Sequence, residues 1–390
     1  MQTYEQMKAH IDHVIARERE ALFALNGWIF DKHELSCQEY ETSQRVVDFL
    51  RDKGYTVEYP FYGIDTAFFA AMPGRQPRGR KIAILTEYDA LPDVGHACGH
   101  CLSCCISLLA GLSMAELQDE LDADIHIIGT PGEETEGAKV AMADGGLFND
   151  YDMAIMVHLN NYNLVEPDVQ AITPLMYYFH GKAAHAAAAP WEGRNAFNAG
   201  QLFFHALDMM RQHITPECRI HGIFRNSGAA ANIVPDEVSA AVYVRSMGND
   251  TQTDLLRRVD DCARGAAIAT QCTWDKEYFE PPYMPLKKNP TGAAVLREIY
   301  GELGLSLDAP TNRFGSTDAG NVSLVCPTFH PCLETVPHDV AIHQREFAAY
   351  MTTERAYHSL QTGAKIIAYH CARIFSDGEL FRRMKEDFDR

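Results

Sequence analysis

The segment Thr86-Glu-Tyr-Asp-Ala-Leu-Pro-Asp-Val-Gly-His-Ala-Cys-Gly-His100 gathers carboxylates, imidazoles and a thiol at the end of one apolar run, Lys81 to Leu85. Groups of these types, delivered where a strand ends, are metal-ligand chemistry. Gly129-Thr-Pro-Gly-Glu-Glu134 follows a second apolar run, Asp124 to Ile128, and His158 ends a third, Met153 to Val157. A thiolate and an imidazole, Cys98 and His100, together favour a borderline cation such as zinc. The plainer alternative is a buried cysteine and a histidine hydrogen-bonded in a turn. Glu87 and Asp89 lie beside them, and Asp89 could orient a ligating imidazole. In Glu133-Glu134 one carboxylate can hold a metal while its neighbour takes a proton from water. The same pair also suits a solvated helix start, where the dipole favours carboxylates. His158 alone reads equally well as structural. His330, His338 and His343 are later candidates that spacing does not separate.

The elements that must position these groups follow from the apolar pattern. Residues 5–25 and 41–53 have helical spacing, residues 56–72 read as a hairpin, and the basic Pro/Gly stretch Pro73 to Arg80 as an exposed turn. Strand 81–88, helix 101–117, strand 124–130, helix 136–144 and strand 153–159 then alternate. That rhythm predicts an α/β fold with an open, mostly parallel sheet. Such sheets bind ligands at the carboxyl ends of their strands, where all three clusters fall. From residue 169 the pattern changes: strand 174–181, helix 194–213, strands 218–225 and 234–245, helix 251–270 and strand 271–279. This order predicts an inserted ferredoxin-like α+β domain, residues 169–282, closing at Pro281-Pro282. Residues 1–168 and 283–390 then form one discontinuous domain, with helix 289–303, a loop around Gly315 and helix 352–372.

Composition narrows the function classes. A formal charge of −19 argues against nucleic acid and anionic membrane surfaces. The polar start, Met1 to Lys8, reads as an amphipathic helix rather than a signal peptide, and no apolar run approaches the length of a bilayer span. Eleven cysteines, an odd number without framework spacing, read as reduced thiols, so a cytoplasmic protein is expected. Cys98, Cys101 and Cys104 are spaced C-x2-C-x2-C, with Cys326 as a conceivable fourth ligand, which also permits an iron–sulfur reading. Against it, Leu102 to Leu117 is strongly helical and apolar, and cysteines at 101, 104 and 105 suit a buried helix face. The inserted segment holds a further set: Gly181-Lys-Ala-Ala-His185-Ala, Ala231-Asn232-Ile-Val-Pro-Asp236 and Tyr243-Val-Arg245. Arg245 and Asn232 could hold a substrate carboxylate, or be a surface arginine and a strand cap.

Taken together, Glu-Tyr-Asp-Ala-Leu-Pro, His-Ala-Cys-Gly-His, Gly-Thr-Pro-x-Glu-Glu, Gly-x-Ala-Ala-His-Ala, Ala-Asn-Ile-Val-Pro-Asp and Gly-Ser-Thr-Asp-x-Gly-Asn-Val-Ser resemble the M20 family of metallopeptidases and amidohydrolases. The likeness covers nearly the whole chain and is strongest to the branch of aminobenzoyl-glutamate hydrolases, M20-domain dipeptidase-like proteins and auxin-conjugate amidohydrolases. The resemblance implies two divalent cations per subunit, zinc or manganese, held by Cys98, His100, Glu134, His158 and His343. The last is chosen because Ile-His-x-x-Glu-Phe resembles a family motif. It further implies Glu133 as general base, Asp89 as a supporting catalytic residue, and a lid domain that dimerises. His185 would then reach the partner subunit's active site, and Asn232 and Arg245 would hold the substrate carboxylate. The expected reaction is hydrolysis of the amide of an N-acyl or N-aroyl amino acid or of a dipeptide. A non-catalytic binding protein on the same scaffold is the alternative. One departure stands out: Cys101 occupies a position where the branch has asparagine or aspartate. His330-Pro-Cys-Leu-Glu-Thr is also atypical of the branch.

Overall fold

The computed structural model describes residues 2–72, 78–309 and 315–390, so most of the expected turn at Pro73 to Arg80 lies outside the described residues. The chain divides into two compact units: Met1–Asp168, Leu286–Arg313 and Asp318–Arg390 form the first, and Val169–Pro285 with Phe314–Thr317 the second.

The first unit opens with α1 (Tyr4–Lys32), capped by a reciprocal box between Thr3 and Gln6, and α2 (Tyr40–Asp52). Strands β1 (Thr56–Glu58) and β2 (Phe68–Ala71) pair antiparallel as the expected hairpin. Then come β3 (Arg80–Thr86), α3 (His100–Met114), the short α4 (Gln118–Leu121), β4 (Ala123–Gly129), α5 (Ala138–Asp144), β5 (Met153–Ile155) and β6 (His158–Asn160). β3 lies parallel between β4 and β5, and β2 joins β4 antiparallel. The single strand expected over 153–159 is therefore two. After β5 the chain steps out of the main sheet, and β6 joins a separate two-stranded sheet.

α3 corrects the expectation about apolar runs. With its continuation to Leu121 it is long and apolar enough to cross a membrane by length and composition. However, 89% of its apolar window is buried inside the protein. A helix apolar on every side is a core helix when it is packed on every side. Cys101, Cys104 and Cys105 are part of that packing, all fully buried. Two hydroxyls on α3 fix its register against the sheet: Ser107 Oγ donates to Leu85 O and Ser103 Oγ to Val157 O, each at 2.7 Å.

The second unit contains β7 (Ala171–His180), α6 (Ala196–Met210), β8 (Arg219–Asn226), β9 (Glu237–Ser246), α7 (Asn249–Thr270) and β10 (Thr273–Tyr278). Its four strands are antiparallel in the order β10-β7-β9-β8. This is the ferredoxin-like split βαβ arrangement. Both helices pack on the sheet through Phe203, Leu207, Leu255 and Val259.

The chain then re-enters the first unit with α8 (Pro290–Glu302), α9 (Ala319–Ser323), β11 (Thr328–Phe329), β12 (Cys332–Glu334), α10 (Arg345–Ala349), α11 (Glu354–Ser376) and α12 (Gly378–Asp389). β11 extends the main sheet beside β5, and β12 pairs with β6, aligning Cys332 with His158. The short elements α9, α10, β11 and β12 carry too few residues for a periodic signal.

α3 crosses the sheet closely at Gly111, where an added Cβ would lie 2.4 Å from Ile127 Cδ1. Overpacking a sealed contact of this kind costs ~1–3 kcal/mol. Gly111→Val is expected to lower unfolding free energy by about that amount. Denaturant unfolding at constant slope checks it, and an unchanged midpoint would contradict the packing described.

Candidate metal centre

Gly99 makes the His-Ala-Cys-Gly-His segment possible. Its φ of +84° is the left-handed conformation, and an added Cβ would lie 2.9 Å from Leu159 Cδ1. Only glycine takes that backbone without strain. The turn ends in α3, whose first residue is His100.

Asp89 then fixes His100. The Asp89 carboxylate lies 2.8 Å from His100 Nδ1 through Oδ1, while Oδ2 accepts from Ser36 Oγ at 2.7 Å and from the Glu134 backbone N–H at 3.0 Å. A carboxylate on Nδ1 assigns the proton there and leaves the Nε2 lone pair for a cation. Nε2 is buried without a hydrogen-bond partner among the described residues, and so is Glu134 Oε1.

The remaining candidates converge on these atoms. Cys98 Sγ is 3.4 Å from His158 Nε2, and His343 Nε2 is 3.6 Å from Glu134 Oε1. The ligand atoms fall into overlapping triads whose members lie within 4.8 Å of one another: Cys98, His100 and His158; Cys98, Glu134 and His343; His100, Glu133 and Glu134. Cys98 belongs to two of them. Thiolate, imidazole and carboxylate donors with orphaned buried atoms are a donor set that fits a pair of borderline divalent cations.

Of the three late histidines, His343 faces Cys98 and Glu134, with a φ of +65° and its N–H donating to Ala97 O. His330 is buried beside His158, their ring centroids 5.3 Å apart. His338 instead groups with Asp308 and Glu334. Among the described residues, Cys101 and Cys104 join no ligand cluster, which leaves the iron–sulfur reading without geometric support.

Several charged groups around the site had no role on sequence grounds. Lys139, fully buried on α5, lies 2.7 Å from Glu87 Oε1 and 2.6 Å from Asp318 Oδ1. Glu39 accepts from Gly132 N–H at 2.9 Å and from Thr66 Oγ1 at 3.0 Å, bracing the loop that carries Glu133 and Glu134. The signal for Lys139 was a single cation in the apolar run Ala138 to Ala143; Ser36 and Glu39 offered none.

Titration reflects this crowding. Burial raises the Glu133 carboxyl, and neighbouring Glu87 and Glu134 raise it further. Burial alone would raise Glu87, but Lys139 and then His100 outweigh it and hold Glu87 at about 2. Burial lowers His100, yet Cys98 and Asp89 raise it well above the ordinary imidazole value. Burial also pushes the Cys98 thiol well up. Burial lowers His158 to about 3, so it is a neutral donor.

In the second unit, His185 Nδ1 accepts from the N–H groups of Ala187 and Ala188 at 3.2 and 3.1 Å. That places the neutral ring's proton on Nε2. His185 bridges Ile233, and Ala186 N–H donates to Asn232 O, so the segment carrying His185 pairs antiparallel with the segment carrying Asn232. Arg245 Nη1 donates to Ser316 Oγ at 3.2 Å, while its Nε is buried without a hydrogen-bond partner among the described residues.

Residues 83–369 match the family model "Peptidase family M20/M25/M40". The chain belongs to this family. It is 32% identical to the Xaa-Arg dipeptidase of Mus musculus over 98% of this chain and 92% of that protein. It is 27% identical to a p-aminobenzoyl-glutamate hydrolase subunit of Escherichia coli over 70% of this chain and 61% of that one. Its fold is similar to an aminobenzoyl-glutamate utilization protein from Klebsiella pneumoniae, with a TM-score of 0.71 at 18% identity, covering 93% and 97% of the two chains. A dinuclear metal binding peptidase of the M20 family from Bacillus subtilis is also similar, with a TM-score of 0.66 at 17% identity, covering 90% and 98%. The hydrolase expectation drawn from the motifs agrees with this membership.

Cation binding must displace the Cys98 thiol proton, because burial makes the thiol hold it more tightly than usual. Affinity for zinc is therefore expected to rise with pH from 6 to 8, by about tenfold per pH unit for each proton displaced. Chelator competition at three pH values tests this, and a flat profile would exclude this ligand.

Proposed function

We propose that this chain is a two-metal amide hydrolase that cleaves a dipeptide or an N-acyl or N-aroyl amino acid and releases a free amino acid. The observation that carries the reading is the convergence of Cys98, His100, Glu134, His158 and His343 beside a buried carboxylate, Glu133. Similarity to the Xaa-Arg dipeptidases over 98% of the chain supports the dipeptide side of the range. When bound, zinc or manganese would supply Lewis acidity toward the substrate carbonyl and toward a water molecule.

The protein groups do the rest. Asp89 holds the His100 ring in its ligating tautomer. Glu133 takes the water proton and delivers it to the leaving amine. Its raised proton affinity suits that exchange, because a base that is too weak could not accept the proton. His185 donates from Nε2 to the oxyanion, acting on the partner subunit's substrate in a homodimer formed through the second unit. Arg245, cationic and with an Nε that has no hydrogen-bond partner among the described residues, binds the substrate carboxylate together with Asn232.

Metal analysis with an amine-release screen of Xaa-Arg dipeptides, other dipeptides and N-acyl amino acids tests the reading. About two cations per chain with turnover is the expected result. Bound metal without turnover on any of these substrates would favour a binding role instead. Glu133→Gln is expected to keep its metal and lose activity by about 10²–10⁴-fold; full activity would remove Glu133 as base. His185→Ala should lose about 10²–10³-fold in kcat. Mixing His185→Ala with Glu133→Ala subunits should restore part of the activity. Heterodimers that form without recovery would exclude action across the dimer.

A further inference from the structure

Two buried groups on the wall of the metal centre have no role in the reaction as described. Glu87 follows β3 and is fully buried, and His330 lies between β11 and β12 at 5% exposure. Glu87 Oε2 is 3.4 Å from His100 Nε2, the nitrogen that Asp89 leaves free. A carboxylate oxygen and a ring nitrogen that face each other at that distance need a positive charge between them: a proton on Nε2 in the metal-free chain, or a cation that takes the proton's place. Lys139 does not supply it there. Its ammonium touches Glu87 through Oε1 and is shared with Asp318. Neither oxygen of Glu87 accepts a hydrogen bond of normal orientation among the described residues.

His330 raises the same problem from the other side. Its ring lies 5.3 Å from that of His158, which in turn has its Nε2 3.4 Å from Cys98 Sγ. Both His330 nitrogens are buried without a hydrogen-bond partner among the described residues. Buried polar side chains are nearly always paired, so an imidazole orphaned at both nitrogens among the described residues calls for a further partner, such as a cation. His330 is such an exception at the edge of the ligand cluster, and Glu87, held by Lys139 at Oε1, directs its other oxygen into it.

We propose that Glu87 and His330 are additional cation-holding groups of this centre: Glu87 presents Oε2 beside His100 Nε2, and His330 a ring nitrogen from beside His158. The inference rests on the two-metal hydrolase reading and extends its ligand set by a carboxylate and an imidazole. Lys139 and Asp318 then act as positioning residues. The ammonium fixes Glu87 by its far oxygen and leaves the near oxygen directed at His100.

The test is zinc affinity of the full chain by chelator competition, with metal content after dialysis, for wild type, Glu87→Gln, His330→Gln and His338→Gln. Changes to groups around a ligand set typically weaken metal binding by about 10–100-fold. Glu87→Gln and His330→Gln are each expected to weaken zinc binding at least about tenfold, with His338→Gln at wild-type affinity. Circular dichroism of the metal-free proteins establishes folding. Glu87→Gln also removes a partner of buried Lys139; should it fail to fold, His330→Gln, which leaves that pair intact, decides the matter. Wild-type affinity in His330→Gln, or in folded Glu87→Gln, overturns the proposal and leaves the hydrolase reading standing. A wild-type protein that binds no zinc or manganese overturns both.

Discussion

One carboxylate organises the candidate metal centre. Asp89 is fully buried and ties together three segments distant in sequence: the loop at Ser36, the start of α3 at His100 and the loop after β4 at Glu134. Burial would raise its proton affinity, but His100 and the surrounding donors outweigh burial and keep it ionised. The charge is used twice. It sets the His100 tautomer, and it anchors the backbone from which Glu133 and Glu134 project. A neutral group at this position could not satisfy all three donors, because an amide would turn an N–H toward one of them.

Around that anchor the protein buries more charge than a stable core needs. Lys139 sits on an otherwise apolar helix, sealed between Glu87 from the end of β3 and Asp318 at the start of α9. Taking such ions out of water costs several kcal/mol each, and replacing a buried pair with apolar groups is often neutral or stabilising. Stability therefore does not explain the cluster, whereas holding carboxylates at defined positions beside a cation site does. Glu39 has a comparable structural role at the Gly132 N–H, bracing the loop that carries Glu133 and Glu134.

The second unit organises its polar groups with backbone contacts rather than buried charge. The two N–H donors on His185 Nδ1 leave a proton donor at Nε2, and the bridge to Ile233 pairs the His185 backbone with the segment that carries Asn232. Arg245 is anchored at one end by Ser316, and its Nε has no hydrogen-bond partner among the described residues. A half-buried guanidinium with spare donors is suited to a carboxylate.

The local chemistry was legible in the sequence. Cys98-Gly-His100, Glu133-Glu134 and His158 could be read because each belongs to the segment that follows a run of apolar residues, although His158 proves to begin a short strand of its own. The alternation of strands and helices then gathers strand ends on one edge of the sheet. The order of elements in the inserted segment likewise determined a split βαβ arrangement. Spacing does not separate His330, His338 and His343; the motif around His343 favoured it, and the tertiary structure brings that histidine beside Cys98 and Glu134. That placement depends on the left-handed backbone at His343 and on the pairing of β11 and β12 with β5 and β6, which are contacts between residues about 170 apart. The tertiary structure also decided that the strand expected over 153–159 breaks in two, and that Lys139 and Ser36 belong to the site. Strand and turn propensities act over a few neighbouring residues, so sequence spacing records them. A buried ion pair or a single hydroxyl on a distant loop leaves no periodic trace, and only the folded chain brings such partners together.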